Sequence, residues 1–156
     1  MLTHALTRAV RVPALLLLLT ALLGSLLVGT TAAPASAATT LGEKAVAEAK
    51  RHLGKPYSYG ATGPSRFDCS GFTLYVFSRF GKSLPHNAAQ QYSKIHKVAK
   101  TQKRTGDLLF MKSSSGRITH VGIYNGSGKW YVAPKSGDVV KLQSLYSSNY
   151  VVGRVT

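Results

Sequence analysis

Midway along the chain the apolar residues change their spacing, and a fold of a single class cannot satisfy both halves. Between residues 41 and 93 they recur at helical intervals; from residue 108 onward they fall into short β-branched or aromatic runs. Thr40 followed by Glu43 is a capping-box pattern, after which Ala45, Val46, Ala49 and Leu53 share one face until Gly54 and Pro56 break the run. A first helix is therefore expected over about Leu41 to Leu53. Phe72, Leu74, Tyr75, Phe77 and Phe80 predict a second over Cys69 to Phe80, with Gly81 as its stop. A short third, about Asn87 to Ser93, follows Leu84-Pro85 with Asn87 as N-cap. The runs Leu108 to Met111, Thr119 to Tyr124, Lys129 to Ala133, Val139 to Leu142 and Tyr150 to Arg154 predict strands. Asn125-Gly126-Ser127-Gly128 supplies the positive-φ residues of a tight hairpin between two of them. Three N-terminal helices packed on one side of a roughly five-stranded antiparallel sheet make an α+β fold.

The chain begins with a segment that is not expected to belong to that fold. Arg8 and Arg11 precede an almost wholly apolar stretch from Ala14 to Gly29, and Ala35-Ser36-Ala37 offers small residues where a signal peptidase reads. Residues 1 to 37 read as a secretory signal cut after Ala37, since the apolar run falls short of the ~20 residues that span a bilayer comfortably. An uncleaved membrane anchor is the alternative. The 119 residues that remain, 38 to 156, suffice for one compact domain. It is expected as a secreted or cell-wall-associated monomer.

Charge narrows the partners. The chain carries a net +15, and of this +13 lies beyond residue 37, where eighteen Lys and Arg face five acids. Outside the cytoplasm such a surface seeks anionic wall polymers, acidic lipids or extracellular nucleic acid. No motif of specific nucleic-acid recognition accompanies it. One cysteine and scattered histidines have no recognised metal-ligand spacing, so neither a metal nor an organic cofactor is expected.

That single cysteine, Cys69, follows a loop rich in Gly and Pro and opens the second predicted helix. With no second cysteine to pair with, it has no part in an intramolecular disulfide, and a reactive thiol gains weight. In the first turn of a helix, free N–H groups and the positive end of the dipole are expected to favour thiolate over thiol. A thiol that attacks an amide also needs a base, and histidine suits that near neutral pH. Beyond the leader there are four: His52, His86, His96 and His120. His52 ends the first helix and His96 sits in a lysine-rich connector, so both are expected at the surface. His120 lies in the apolar run Ile118 to Tyr124 and is the candidate base.

Several short blocks in a fixed order resemble the NlpC family of papain-like cell-wall cysteine peptidases. They are Gly54-Lys55-Pro56-Tyr57, Phe67-Asp68-Cys69-Ser70-Gly71, Leu84-Pro85, Gly106-Asp107-Leu108, His120-Val121-Gly122-Ile123-Tyr124, and Ala133-Pro134 with Ser136-Gly137. The resemblance implies a papain-like fold with Cys69 as nucleophile and His120 as base. It also implies that Tyr57 reaches toward the thiol and oxyanion region, and that Asp68 and Ser70 help hold a peptidoglycan stem peptide. The implied reaction is hydrolysis of the D-γ-glutamyl to diamino acid bond through an acyl-enzyme, with anionic wall polymers holding the basic surface. Two positions depart from the pattern. Relatives usually place a polar residue, most often His, twelve positions after the catalytic histidine to orient its ring, and here that position is Val132. His86 stands where arginine is common, with an altered recognition of acidic groups as the expectation. The Val132 departure leaves a second reading, a wall-binding or regulatory module that keeps the fold and has lost most turnover. Transfer of the acyl group to an amine or alcohol is a third.

Overall fold

The computed structural model describes residues 38–156; the predicted leader lies outside the described residues. The predicted capping box forms: Thr40 Oγ1 accepts from the Glu43 amide at 3.2 Å, and the Glu43 carboxylate accepts from the Thr40 amide at 2.7 Å. It opens α1 (Leu41–Lys50), which is shorter than predicted because residues 51 to 54 close into turns. The second helix, α2 (Cys69–Ser78), starts where predicted and ends two residues early. Gly81, at a φ of 72°, turns the chain there, and the Lys82 amide closes the helix end on the Phe77 carbonyl at 3.1 Å. Asn87 caps α3 (Ala88–Lys94) by accepting from the Gln90 amide at 3.0 Å.

Six strands follow where five were predicted: β1 (His96–Val98), β2 (Leu108–Lys112), β3 (Ile118–Tyr124), β4 (Lys129–Val132), β5 (Lys141–Ser144) and β6 (Tyr150–Arg154). They form one antiparallel sheet in the order β1-β6-β2-β3-β4-β5. The additional strand, β1, is a three-residue edge with no apolar alternation. Its Lys97 suits an edge that must resist pairing with other chains, and three residues without alternation are too few for pattern reading. The fifth strand begins two residues later than predicted. The Val140 amide donates to the Lys55 carbonyl and the Val140 carbonyl accepts from the Gly54 amide, so this stretch pairs with the loop after α1 and joins β4 only from Lys141.

Strand alternation sorts the apolar side chains into two layers. Leu108, Phe110, Val121, Ile123 and Tyr131 face the helices, against Ala45, Ala49, Phe72, Val76 and Phe77. Leu109, Met111, Tyr124, Trp130, Val132 and Val152 pack on the opposite face. A sheet buried on both faces gives β3 a fixed register between β2 and β4, and β3 carries the candidate base.

Candidate functional site

Asp68 fixes the start of α2. Its Oδ1 accepts from the Gly71 amide at 2.7 Å and the Ser70 hydroxyl at 3.2 Å, and its Oδ2 accepts from the Gly60 amide at 2.9 Å. His86 Nε2 lies 2.8 and 3.0 Å from the same two oxygens. One buried carboxylate thus joins the Gly/Pro-rich loop, the helix and the segment before α3. Gln91, fully buried, adds a second tie: its Nε2 donates to the carbonyls of Ser70 and Pro85 at 2.8 and 2.9 Å, and its Oε1 accepts from Thr73 at 2.7 Å. Neither Gln91 nor the His86–Asp68 contact was legible in the sequence, because both join segments about twenty residues apart through single polar atoms.

Cys69, a free and partly buried thiol, opens α2 beside β3. The amides of Val121, Ser70 and Cys69 itself bear on the sulfur and favour its charged form. Val121 directly follows His120, so the sulfur lies against the His120–Val121 peptide. Register explains why that amide is free to do so. Tyr124 gives its N–H to Asp107 at 2.8 Å, so even-numbered residues of β3 face β2 and odd-numbered ones face β4. The β3–β4 pairing covers only Ile123↔Tyr131 and Tyr124↔Trp130, which leaves Val121 beyond the ladder. A β-bulge also falls here: Met111 pairs with His120 and Lys112 with Ile118, so Thr119 is the extra residue immediately before the candidate base.

The His120 imidazole stands perpendicular to Trp130, with ring centroids 5.4 Å apart and an interplanar angle of 89°. Burial lowers the imidazole pKa from 6.5 to about 4. Burial also pushes the Cys69 thiol up, with the Asp68 carboxylate adding to it, and together they outweigh the three amides. This corrects the expectation of a helix-stabilised thiolate: desolvation at the wall of a small domain exceeds the help of the helix start. The resting pair is a neutral thiol and a neutral imidazole. Alkylation of Cys69 by iodoacetamide should accordingly still accelerate as the pH passes the ordinary thiol value of 9.0. A plateau already reached in the range of about 3.5–7.5, typical of helix-activated thiolates, would contradict the assignment.

A cleft of about 370 Å³ opens beside the thiol, with Tyr57, Asp68, Ser70, His86, Ile118 and Thr119 among its walls. Tyr59, at 89% exposure, forms its rim. Burial, and after it the charges of Cys69 and Asp68, raise the Tyr57 phenol pKa, which places that ring in the field of the sulfur. Asp68 and Ser70, expected to hold substrate, are 6% and 7% exposed and already hydrogen-bonded to each other and to the surrounding loops. Their polar atoms build the cleft wall. His86, expected to touch acidic groups of a substrate, instead spends its Nε2 on Asp68.

The remaining histidines divide. His96 is exposed on β1, as expected. His52 is not at the surface: it is 5% exposed, with its Nε2 3.1 Å from Glu48 Oε1 and its Nδ1 2.9 Å from Lys55 Nζ. Its ring meets Phe67 and Tyr75 edge-on at 5.2 and 5.1 Å. The turn after α1 folds it inward, which a helix-end position does not reveal. Val132, in the place of the usual orienting residue, is fully buried in the same apolar layer as Trp130. Among the described residues, no three His, Cys, Asp or Glu side chains gather as metal ligands.

Known proteins resemble this arrangement along most of its length. The family model described as NlpC/P60 family matches residues 54–154. The probable endopeptidase p60 of Listeria grayi is 49% identical over 110 residues, which cover 69% of this chain and 21% of that protein. A probable endopeptidase of Corynebacterium glutamicum is 39% identical over 114 residues, covering 73% of this chain and 53% of its own length. The chain thus spans about a fifth to a half of these relatives. Among solved structures, the NlpC/p60 domain of the peptidoglycan hydrolase SagA superposes with a TM-score of 0.66 at 37% identity, over 73% of this chain and 98% of that domain. RipD of Mycobacterium tuberculosis, described as a non-catalytic NlpC/p60 domain protein adapted to peptidoglycan binding, superposes with a TM-score of 0.63 at 26% identity, over 76% and 99%. Matched from the loop after α1 to the end of β6, with the helices and the sheet in the same arrangement, the chain belongs to the NlpC/P60 family.

Proposed function

We propose that this protein is a secreted or wall-associated cysteine peptidase that hydrolyses peptidoglycan stem peptides, with Cys69 as nucleophile and His120 as base. The observation that carries the reading is the position of the only thiol, at the start of α2 and against the His120–Val121 peptide, beside an open cleft. In the reaction the Cys69 proton passes to the imidazole as sulfur attacks the substrate carbonyl. The helix-start amides receive the oxyanion, and the amine leaves with the proton that His120 returns. Water, deprotonated by His120, then releases the acyl group and frees the sulfur. Tyr57 borders this region. The bond assigned is D-γ-glutamyl to diamino acid, on the family likeness.

Retention on the wall is assigned to charge. Each of the five carboxylates is already engaged: Glu43 by Thr40, Glu48 by Arg51 and His52, Asp68 by His86, Asp107 by Arg154 and Asp138 by Lys141. The lysines of the α3–β2 segment are thereby left to attract anionic wall polymers.

Incubating the protein and its Cys69→Ala variant with purified peptidoglycan fragments tests the reading by mass spectrometry of the products. New amino and carboxyl termini within the stem peptide are expected from the native protein alone. Identical product sets from both proteins would end the peptidase assignment. The buried Val132 favours one rival, a peptidoglycan-binding module with little turnover; it predicts retention on insoluble wall material by both proteins and release of fragments by neither.

A further inference from the structure

We infer that Trp130 is the positioning residue of His120: its indole holds the imidazole by perpendicular ring contact, in the absence of a polar side chain at position 132. The inference rests on the peptidase reading of Cys69 and His120. Three observations carry it.

First, the indole is built against this part of β3. A Cβ on Gly122 would lie 2.6 Å from Trp130 Cε3 and 2.7 Å from the Tyr131 carbonyl oxygen, so only glycine lets the indole lie over the strand two residues from His120. Gly122 has no positive φ, which leaves this close approach as the reason for glycine there. Second, the rings stand at 89° with centroids 5.4 Å apart, the edge-to-face geometry that aromatic quadrupoles favour. Trp130 is itself fully buried between Val132 on its own strand and the ring of Tyr146, whose centroid is 6.0 Å away. Third, Trp130 Nε1 is buried without a protein acceptor among the described residues. A Phe would fill an apolar layer without burying a donor, so apolar packing alone does not call for an indole.

The chemistry of the site does call for one. A third polar residue in a catalytic triad fixes the ring angle and stabilises the imidazolium that forms when the nucleophile gives up its proton. An indole performs both tasks by other means. Its packed plane restricts rotation of the imidazole, and its π-face is the strongest aromatic partner for a cation in a desolvated setting. Burial is the one cause of the low imidazole pKa, with no charged neighbour contributing, in keeping with a ring held by apolar contact. In the acylation step the proton leaves Cys69 Sγ for the imidazole, and the indole stabilises the resulting positive charge until the leaving amine removes it.

Steady-state kinetics on stem-peptide fragments test the assignment with Trp130→Phe and Trp130→Leu. The expected result is a kcat lowered several-fold for Phe and about 30-fold for Leu, with KM unchanged. Adding Val132→Asn to Trp130→Leu should recover part of the loss, because a hydrogen-bonding orienter then replaces the packed one. Proton NMR titration of His120 in the Cys69→Ala background, read independently of activity, should show its pKa falling below its value of about 4 when Trp130 becomes Leu, because a ring still buried then loses the π-system that stabilises its charge. If Trp130→Leu does not fold, Trp130→Phe decides. A kcat unchanged once corrected for folded fraction, or a His120 titration unmoved or raised by the Leu variant, overturns the inference. Failure of the peptidase reading itself is distinct: it appears as equal products from the native and Cys69→Ala proteins, whatever the Trp130 variants do.

Discussion

His120→Gln is expected to slow hydrolysis of stem-peptide fragments by about 10²–10⁴-fold without disturbing the fold. Glutamine keeps a planar polar side chain of similar length on β3, but it accepts no proton from Cys69. Because the thiol is held neutral by burial and by Asp68, little thiolate exists at neutral pH to act without a base. The same substitution should alter the pH dependence of stability. In the folded protein the imidazole takes up its proton only near 4, and in the unfolded chain near 6.5. Between those values the unfolded chain holds the additional proton, so acid favours unfolding. The contribution is fully present above 6.5 and is lost as the pH falls through about 4. It amounts to about 3 kcal/mol. Urea unfolding at neutral pH and near pH 4, compared between native and Gln proteins, should therefore show the native protein losing that much more. Equal acid sensitivity would contradict a buried, neutral His120. In activity, the acid limb of kcat/KM for the native enzyme should likewise fall close to pH 4.

Asp68→Ala should lower stability by about 3 kcal/mol and activity with it. The carboxylate caps α2 and serves Gly60, Ser70, Gly71 and His86 at once. Its removal forfeits a helix cap and leaves buried amides without an acceptor. Loop, helix start and the segment before α3 would then drift apart, and the cleft they enclose would lose its shape. Asp68→Asn separates cap from charge. Asparagine still caps the Gly71 amide, so most of the stability should remain, while the negative charge that opposes thiolate formation disappears. Cys69 should then be alkylated faster at neutral pH than in the native protein. Thermal unfolding and iodoacetamide kinetics on the two variants check both halves; equal destabilisation by Ala and Asn would show that the cap is not what Asp68 supplies.

The resemblance to papain-like wall peptidases rested on blocks whose residues the fold then distributes among different tasks. Gly54-Lys55-Pro56-Tyr57 pairs with Val140 and Asp138, across the sequence. Asp68 serves the architecture of the cleft, with its oxygens occupied by internal donors. Tyr131 and Val132 occupy opposite faces, as strand alternation required, so the residue next to position 132 does not compensate for it.

Local chemistry by itself determined the class of fold. The capping box at Thr40, the N-cap at Asn87 and the glycines after Asn125 act within one turn, so their spacing specifies helix starts and a hairpin without reference to the rest of the chain. It also determined the singular thiol and one histidine in an apolar run. What only the tertiary structure decided were matters of long-range contact: the three-residue edge β1, the inward turn of His52, the His86–Asp68 bond, and an indole standing against the His120 ring. Protonation belongs with these, because a thiol's charge depends on how much solvent the assembled walls exclude, and no helix position taken alone fixes that.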